Sequence, residues 1–206
     1  MKKNSFLLLI ISVLSSCAMQ IDRGNYTIKG TVVGSNNEKV YFSVFDDAQN
    51  KWKLVDTTNI KSGSFSFTGE ADGRQLCEVK IEHSLPIKFF LENSNIQLNG
   101  EITKLKDVVV RGSQANDEFL TLQDSISALL HKQNMLYIKA KSAENDGYTE
   151  IAKISFSNFQ NSQKNVYLFL KRYCENNRDS APLRYVIRAN KKSLTEKEYN
   201  NLMKKF

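Results

Sequence analysis

Between Gly112 and Ser113 the spacing of apolar residues changes from every second position to every third or fourth. One element type cannot carry both periods, because strand side chains alternate faces while helical side chains return after 3.6 residues. Upstream, Tyr26, Ile28 and Val32 stand between polar residues, as do Val40, Phe42 and Val44, then Phe65 and Phe67. The pattern continues through Cys77, Val79 and Ile81, through Ile87, Phe89 and Leu91, through Ile96 and Leu98, and through Val108 and Val110. Alternation rich in Val, Ile and Phe predicts strands with one face buried and one wetted. Turn residues punctuate them at Gly34-Ser35-Asn36-Asn37, Ser62-Gly63, Asp72-Gly73 and Glu92-Asn93-Ser94-Asn95. Pro86 falls at a strand start, where its missing N–H costs least. Short strands at this spacing with no helix between them predict an antiparallel β-sandwich or open barrel over residues 26–112.

Downstream, residues 113–206 read as an α-helical region, so the whole is α+β. Phe119, Leu122, Ile126, Leu129 and Leu130 recur at helical spacing. After a break at Asn145-Asp146-Gly147, a longer stripe runs from Tyr148 through Ile151, Ala152, Phe159, Val166, Phe169 and Leu170 to Tyr173. Together they predict a long helical hairpin. Two short helices follow. Ser180 or Ala181 leads into Pro182, suited to a first helical turn. Thr195-Glu196-Lys197-Glu198 is a capping box, with Leu194 and Tyr199 as its hydrophobic staple.

The N-terminus reads as an address. Met1-Lys2-Lys3 is basic, and Phe6 to Leu14 is apolar except for Ser12. That run is too short to span a bilayer core, which takes roughly 20 apolar residues, and it has the layout of a secretory signal peptide. Leu14-Ser15-Ser16-Cys17 resembles the bacterial lipoprotein cleavage box. Cleavage would remove residues 1–16, and the Cys17 thiol would carry the lipid. Each buried methylene of an acyl chain contributes about 0.8 kcal/mol, so several chains on Cys17 would anchor the protein durably to a membrane. Ala18 rather than Asp follows the cysteine, which favours the outer membrane over inner-membrane retention. Only Asp22 lies where a surface-export tag would place an acidic cluster, so a periplasm-facing body on a tether of residues 17–25 is expected.

Charge divides at the same boundary as periodicity. Residues 17–112 hold 12 basic and 12 acidic side chains; residues 113–206 hold 15 and 10. Arg184, Arg188 and Lys191, with Lys192 beside them, form a basic stripe opposite Leu183, Val186 and Ile187. It reads first as a solvated helix face, and otherwise as a contact for an acidic partner or anionic headgroups. Nucleic-acid binding is disfavoured, since no recognition motif accompanies the charge.

At Asp56-Thr57-Thr58, at Gly63-Ser64-Phe65-Ser66-Phe67-Thr68-Gly69, and at Val110-Arg111-Gly112-Ser113-Gln114-Ala115-Asn116 the residue order becomes familiar. With Tyr26-Thr27-Ile28-Lys29-Gly30-Thr31-Val32, it resembles a β-rich domain of unknown function from Gram-negative envelope lipoproteins. In that family the domain often precedes a thioredoxin-like, peroxiredoxin-type domain. The resemblance covers about Tyr26 to Leu122 and implies fold and neighbourhood. It carries no redox chemistry over, because neither Cys77 nor Cys174 lies in a C-x-x-C and they are 97 residues apart.

Other chemistry is scarce. Cys77 and Cys174 are either buried small hydrophobes or a disulfide formed in an oxidising compartment. His83 and His131 have no spaced ligand partner, so a turn or solvent position is expected and no metal. Asp46-Asp47 lacks a calcium loop around it and reads as a solvated hairpin. The nine glycines form neither a phosphate-binding loop nor a dinucleotide fingerprint, and there is no nucleophile elbow. No cofactor is called for. Asp56-Thr57-Thr58 and Asp179-Ser180-Ala181 resemble a three-residue O-glycosylation signal, and both also serve as ordinary turn or cap residues. The sequence therefore points to a lipid-anchored, non-catalytic binding or assembly module meeting an envelope protein or glycan. The alternative is the N-terminal part of, or partner to, a thiol–disulfide oxidoreductase.

Overall fold

The computed structural model describes residues 24–206. Eight strands form two four-stranded sheets: β1 (Tyr26–Val33), β2 (Lys39–Asp46), β3 (Lys51–Asn59), β4 (Ser64–Gly69), β5 (Gln75–Ile81), β6 (Ile87–Leu91), β7 (Asn95–Glu101) and β8 (Val109–Arg111). One sheet runs β4-β1-β7-β8 and the other β3-β2-β5-β6. The expected sandwich is present. One pair departs from the antiparallel expectation: β1 and β7 are parallel, with Ile28 beside Ile96 and Gly30 beside Leu98. Period-2 patterning is the same for either direction, so the sequence carried no sign of it.

The alternating residues meet between the sheets. Ile28, Val40, Phe42, Cys77, Val79, Phe89, Ile96 and Leu98 are all fully buried there. Gly30 and Gly69 leave room for rings on the opposing strand: a Cβ at Gly30 would meet Phe65 at 2.0 Å, and one at Gly69 would meet the Tyr26 hydroxyl at 2.6 Å. The familiar motifs of β1 and β4 are thus two glycine–aromatic cross-strand pairs. Strand β3 went unread because it buries almost nothing. It lies at a sheet edge, and a bulge opposite Phe42 and Ser43 leaves Val55 out of register.

Five helices follow: α1 (Gln114–Asn145), α2 (Thr149–Ser162), α3 (Asn165–Asn176), α4 (Leu183–Ala189) and α5 (Glu196–Met203). The stripe expected to run unbroken to Tyr173 is divided at Gln163 and Lys164, so α1 pairs with α2 alone in the hairpin. Ser162 Oγ donates to the Phe159 carbonyl at 2.7 Å, and the Gln163 N–H donates to Gln160 rather than to Phe159. Such local bonds compete with the helical ladder and turn the chain. Pro182 sits at the N-cap of α4. At α5, Thr195 and Glu198 form the expected capping box, and Leu194 and Tyr199 pack into the helical core.

Strands β5 and β6 join the two halves. Their inward residues face the sandwich, while Leu76 and Phe90 point outward into a second core with Phe119, Leu122, Leu170, Leu183 and Ile187. The Phe90 ring lies 5.3 Å from Phe119 and 6.4 Å from Tyr185. Its backbone N–H donates to Asn116 Oδ1 at 3.3 Å. The start of α1 is held by Ser113, whose Oγ accepts from the Asn116 amide, and by Glu92, whose carboxylate accepts from the Gln114 and Ala115 amides. Anions at a helix N-terminus satisfy otherwise orphaned N–H groups.

Gly112 makes this entry possible. Its φ is +89°, and a Cβ there would lie 2.0 Å from the Asn95 carbonyl oxygen. Gly112→Ala is expected to cost about 3 kcal/mol or more in chemical denaturation, from positive φ and backbone collision together. A second expectation concerns pH. Between β1 and β2, Glu38 accepts from the Ser35 hydroxyl and from the amides of Asn36 and Asn37, which pulls its carboxyl down to about 2 from the ordinary 4.5. A depressed folded pKa stabilises fully above the unfolded value and ceases to as pH falls from about 4.5 toward 2. Urea midpoints at pH 7 and pH 3 should therefore differ less in Glu38→Gln than in the parent.

Candidate functional site

The β2–β3 turn, the N-terminal end of β5 and the corner between α3 and α4 enclose a groove of about 490 Å³. Its walls are apolar where Phe45, Leu76, Phe90 and Tyr185 stand, and polar at Asp46, Asp47, Arg74, Ser180 and Arg184. Phe206 closes one side. A second recess of about 390 Å³, reaching Glu118, Tyr173 and Arg178, shares Arg74 and Ser180 with it. These volumes fall in the range of small-molecule sites, roughly 300–1,000 Å³.

Each wall is placed by packing described above. Phe90 and Leu76 are the outward residues of the doubly buried strands, and α4 lies over them through Leu183, Val186 and Ile187. The opposite polar face of α4 then meets the β2–β3 turn. Arg188 Nη1 donates to Asp47 Oδ1 at 2.5 Å, and Arg184 Nη1 lies 3.8 Å from Asp47 Oδ2. Asp46 is spent locally, accepting from the Gln49 amide at 2.9 Å. Across the groove, Arg74 Nε lies 3.4 Å from Glu92, the same carboxylate that holds the start of α1. In the adjoining recess the Tyr173 hydroxyl donates to Glu118 at 2.8 Å; burial, then that bond, pushes the phenol up to about 12.

Two donors sealed beneath the groove surface have no acceptor among the described residues: Ser180 Oγ and Arg184 Nε. A guanidinium nitrogen can only donate. Buried polar groups in folded proteins are nearly always paired, and leaving one unpaired costs about 1–3 kcal/mol. Elsewhere among the described residues the same condition occurs only at Asn116 Nδ2.

The expected basic stripe is divided by this arrangement. Helix α4 ends at Ala189, so Lys191 and Lys192 fall in a 3₁₀ turn, off the face carrying Arg184 and Arg188. Lys191 instead stands 5.0 Å over the Tyr199 ring. Ser180, read as a cap or an O-glycosylation residue, is only 9% exposed and faces the groove, so it is closed to a modifying enzyme. Thr57 of the other signal is exposed on β3. His83 and His131 are solvent-exposed. Among the described residues no three His, Cys, Asp or Glu side chains stand together as metal ligands. Cys17 lies outside the described residues.

The disulfide alternative is corrected. Cys77 and Cys174 are both free thiols, one in the sandwich core and the other in the helical core. Burial raises both thiols, Cys77 well above its ordinary value. Neither supplies thiolate at neutral pH, which thiol exchange requires. The purified protein should show no insulin-disulfide reduction above background, and measurable turnover would contradict this reading of the thiols.

Sequence reasoning missed Arg74 and the outward Leu76 and Phe90 of the groove, and gave Ser180 only a cap or modification role. One signal was available: Phe89-Phe90-Leu91 is continuous where its neighbours alternate, the pattern of a strand covered on both faces. Nothing local could pair Asp47 with Arg188, 141 residues away.

Residues 26–119 match a family described as a domain of unknown function, DUF4369. The match ends within the first turns of α1, so it takes in both sheets and the docked helix start. No curated protein matches the chain. Among solved structures, pneumolysin overlaps at 11% identity with a TM-score of 0.24, over 44% of this chain and 23% of that one. A structure described as a trapped toxin overlaps at 12% identity with a TM-score of 0.19, over the same shares. This chain therefore spans about a quarter of the length of those proteins.

Proposed function

We propose that this is a lipid-anchored, periplasm-facing binding module that receives an envelope partner in the groove beside α4 and carries out no chemistry itself. The observation that carries the binding reading is the groove itself, about 490 Å³, in which Phe45, Leu76, Phe90 and Tyr185 stand beside the charged Asp47, Arg74 and Arg184. The raised, separated thiols support binding over thiol exchange.

The anchor rests on the cleavage box ending at Cys17. No helix among the described residues is long and apolar enough to cross a membrane. Residues 18–25 would reach at most about 28 Å when extended, enough to hold the body close to a bilayer surface. The β-rich family resemblance supports an envelope setting in which thiol–disulfide oxidoreductases are neighbours, and such a protein is one kind of partner the groove would serve.

Two measurements test the two parts separately. Cys17→Ala should lose both membrane fractionation and palmitate labelling, and retention of both would remove the anchor. A photo-reactive benzoylphenylalanine in place of Gln75, at the groove wall, should give a covalent adduct in illuminated intact cells, read as added mass on the protein. An unmodified mass would count against binding in the groove.

A further inference from the structure

We infer that the α1–α2 hairpin docks on a second copy of this chain through the flank carrying Met135, Leu136, Ile151 and Ile154, the two hairpins running in opposite directions. This interface is independent of the groove and of the anchor. Past Ile126 the buried residues of the two helices are Ala140, Ala143, Ser155 and Ser162, so small side chains fill the seam between them. The large apolar residues stand outward instead: Met135, Ile138, Tyr148, Ile151 and Ile154 are 48–62% exposed. A surface helix ordinarily does the reverse, burying its apolar stripe. Ser155 faces α1, and at about 100° per residue Phe156 turns to one flank and Ile154 to the other, with Ile151 one turn before it. On α1, Lys141 and Glu144 share a recess with Phe156, whereas Met135, Leu136 and Lys139 line a separate one of about 620 Å³ that reaches Tyr148. Ile151 and Ile154 therefore stand on the flank of the larger recess.

Area and charge select a second copy as what covers it. Five large side chains at about half of full exposure make an apolar patch on the order of 500 Å², toward the upper end of what monomers leave open. With the polar residues between them the flank offers roughly 800 Å², what each partner contributes to a standard stable interface. Two hairpins packed flank to flank make a four-helix bundle, whose interior takes up the side chains that one hairpin leaves wet. A two-fold contact must be complementary to itself, and the charges meet that condition in one direction only. Residues 125–143 hold Lys132, Lys139 and Lys141 and no carboxylate, while residues 144–152 at the tip hold Glu144, Asp146 and Glu150 and no basic side chain. Lys141 and Lys153 are spent within the chain on Glu144 and Glu150, at 2.8 and 3.0 Å. Lys132, Lys139 and Asp146, exposed along the larger recess, have no ion pair among the described residues. Tip to tip, two copies would set carboxylate against carboxylate; reversed, each tip meets the lysines of the other. The acidic tip also disfavours an anionic lipid surface as the cover.

The test is sedimentation equilibrium of the purified full chain in density-matched detergent, which reads the mass of the protein alone. At about 50 μM the chain should have twice its monomer mass, with a dissociation constant below about 10 μM. Ile151→Glu with Ile154→Glu should weaken the pair at least tenfold, while Thr149→Glu, on the other flank, should leave it unchanged. Asp146→Lys should weaken it at least fivefold, and adding Lys132→Glu and Lys139→Glu to that chain should restore it. This charge exchange decides should the isoleucine variant lose helix in circular dichroism. Carbodiimide coupling of a mixture of ordinary and heavy-isotope chains should join Lys132 or Lys139 of one isotope to Asp146 or Glu150 of the other. A monomer at every concentration, a dimer indifferent to the isoleucine and Asp146 changes, loss of the pair in Thr149→Glu, or coupling confined to one isotope would each overturn the assignment. So would a monomeric Cys17→Ala chain that floats with phospholipid vesicles until Ile151 and Ile154 are replaced, which would give the flank to lipid.

Discussion

Strands β5 and β6 have to be covered on both faces, and most of the molecule follows from that. A mostly antiparallel sheet commonly packs one face and wets the other, as the β4-β1-β7-β8 sheet does with Lys29, Thr31, Ser66 and Thr68 outward. The partner sheet cannot, because Leu76 and Phe90 project from the side away from the sandwich. Burying two such side chains contributes roughly 3–6 kcal/mol relative to leaving them in water. The helices are what covers them, so the helical region shares a core with the sheet.

That docking is directional as well as apolar. Asn116 accepts from the Phe90 backbone, Ser113 caps α1, and Glu92 reaches from the β6–β7 turn to the first amides of the helix. The Ser113 cap and the contacts from Phe90 and Glu92 therefore set where α1 begins, and Gly112 supplies the positive-φ conformation that brings it there without a Cβ collision. Once α1 is placed, α4 follows through Ile187 and Tyr185, and its outward arginines arrive at the β2–β3 turn. The groove is the space left where α4 crosses that sheet at the end of β2 and the start of β5. Its polar groups are consequently held by the same contacts that hold the fold.

What could be read from residues alone was whatever has a short period. Inner faces of the strands, the capping box at Thr195, the turn signals and the first helical stripe are all local patterns, and each appears where it was expected. Three features have no local pattern. Strand β3 pairs through its backbone while its side chains stay in water, so no alternation marks it. The parallel β1–β7 pair depends on which edges are free after folding. The break before α3 comes from one serine bonding backward rather than from a glycine or proline. The groove was partly hidden for the same reason: Asp47, Arg74, Ser180 and Arg184 come from distant segments, and only the basic pair on α4 carried a visible signal.

The matched family region and the groove overlap only in part, and that bears on where function resides. The match at residues 26–119 takes in Phe45, Arg74, Leu76 and Phe90, which form one wall, together with Glu92, which orients Arg74. The opposite wall, with Ser180 and Ala181 before α4 and Arg184 and Tyr185 on it, lies outside the match. Under the proposed binding role, selectivity would therefore be tuned by the α3–α4 corner, where a change of side chain alters the ligand contact without disturbing the Gly112–Asn116 entry that the sandwich needs.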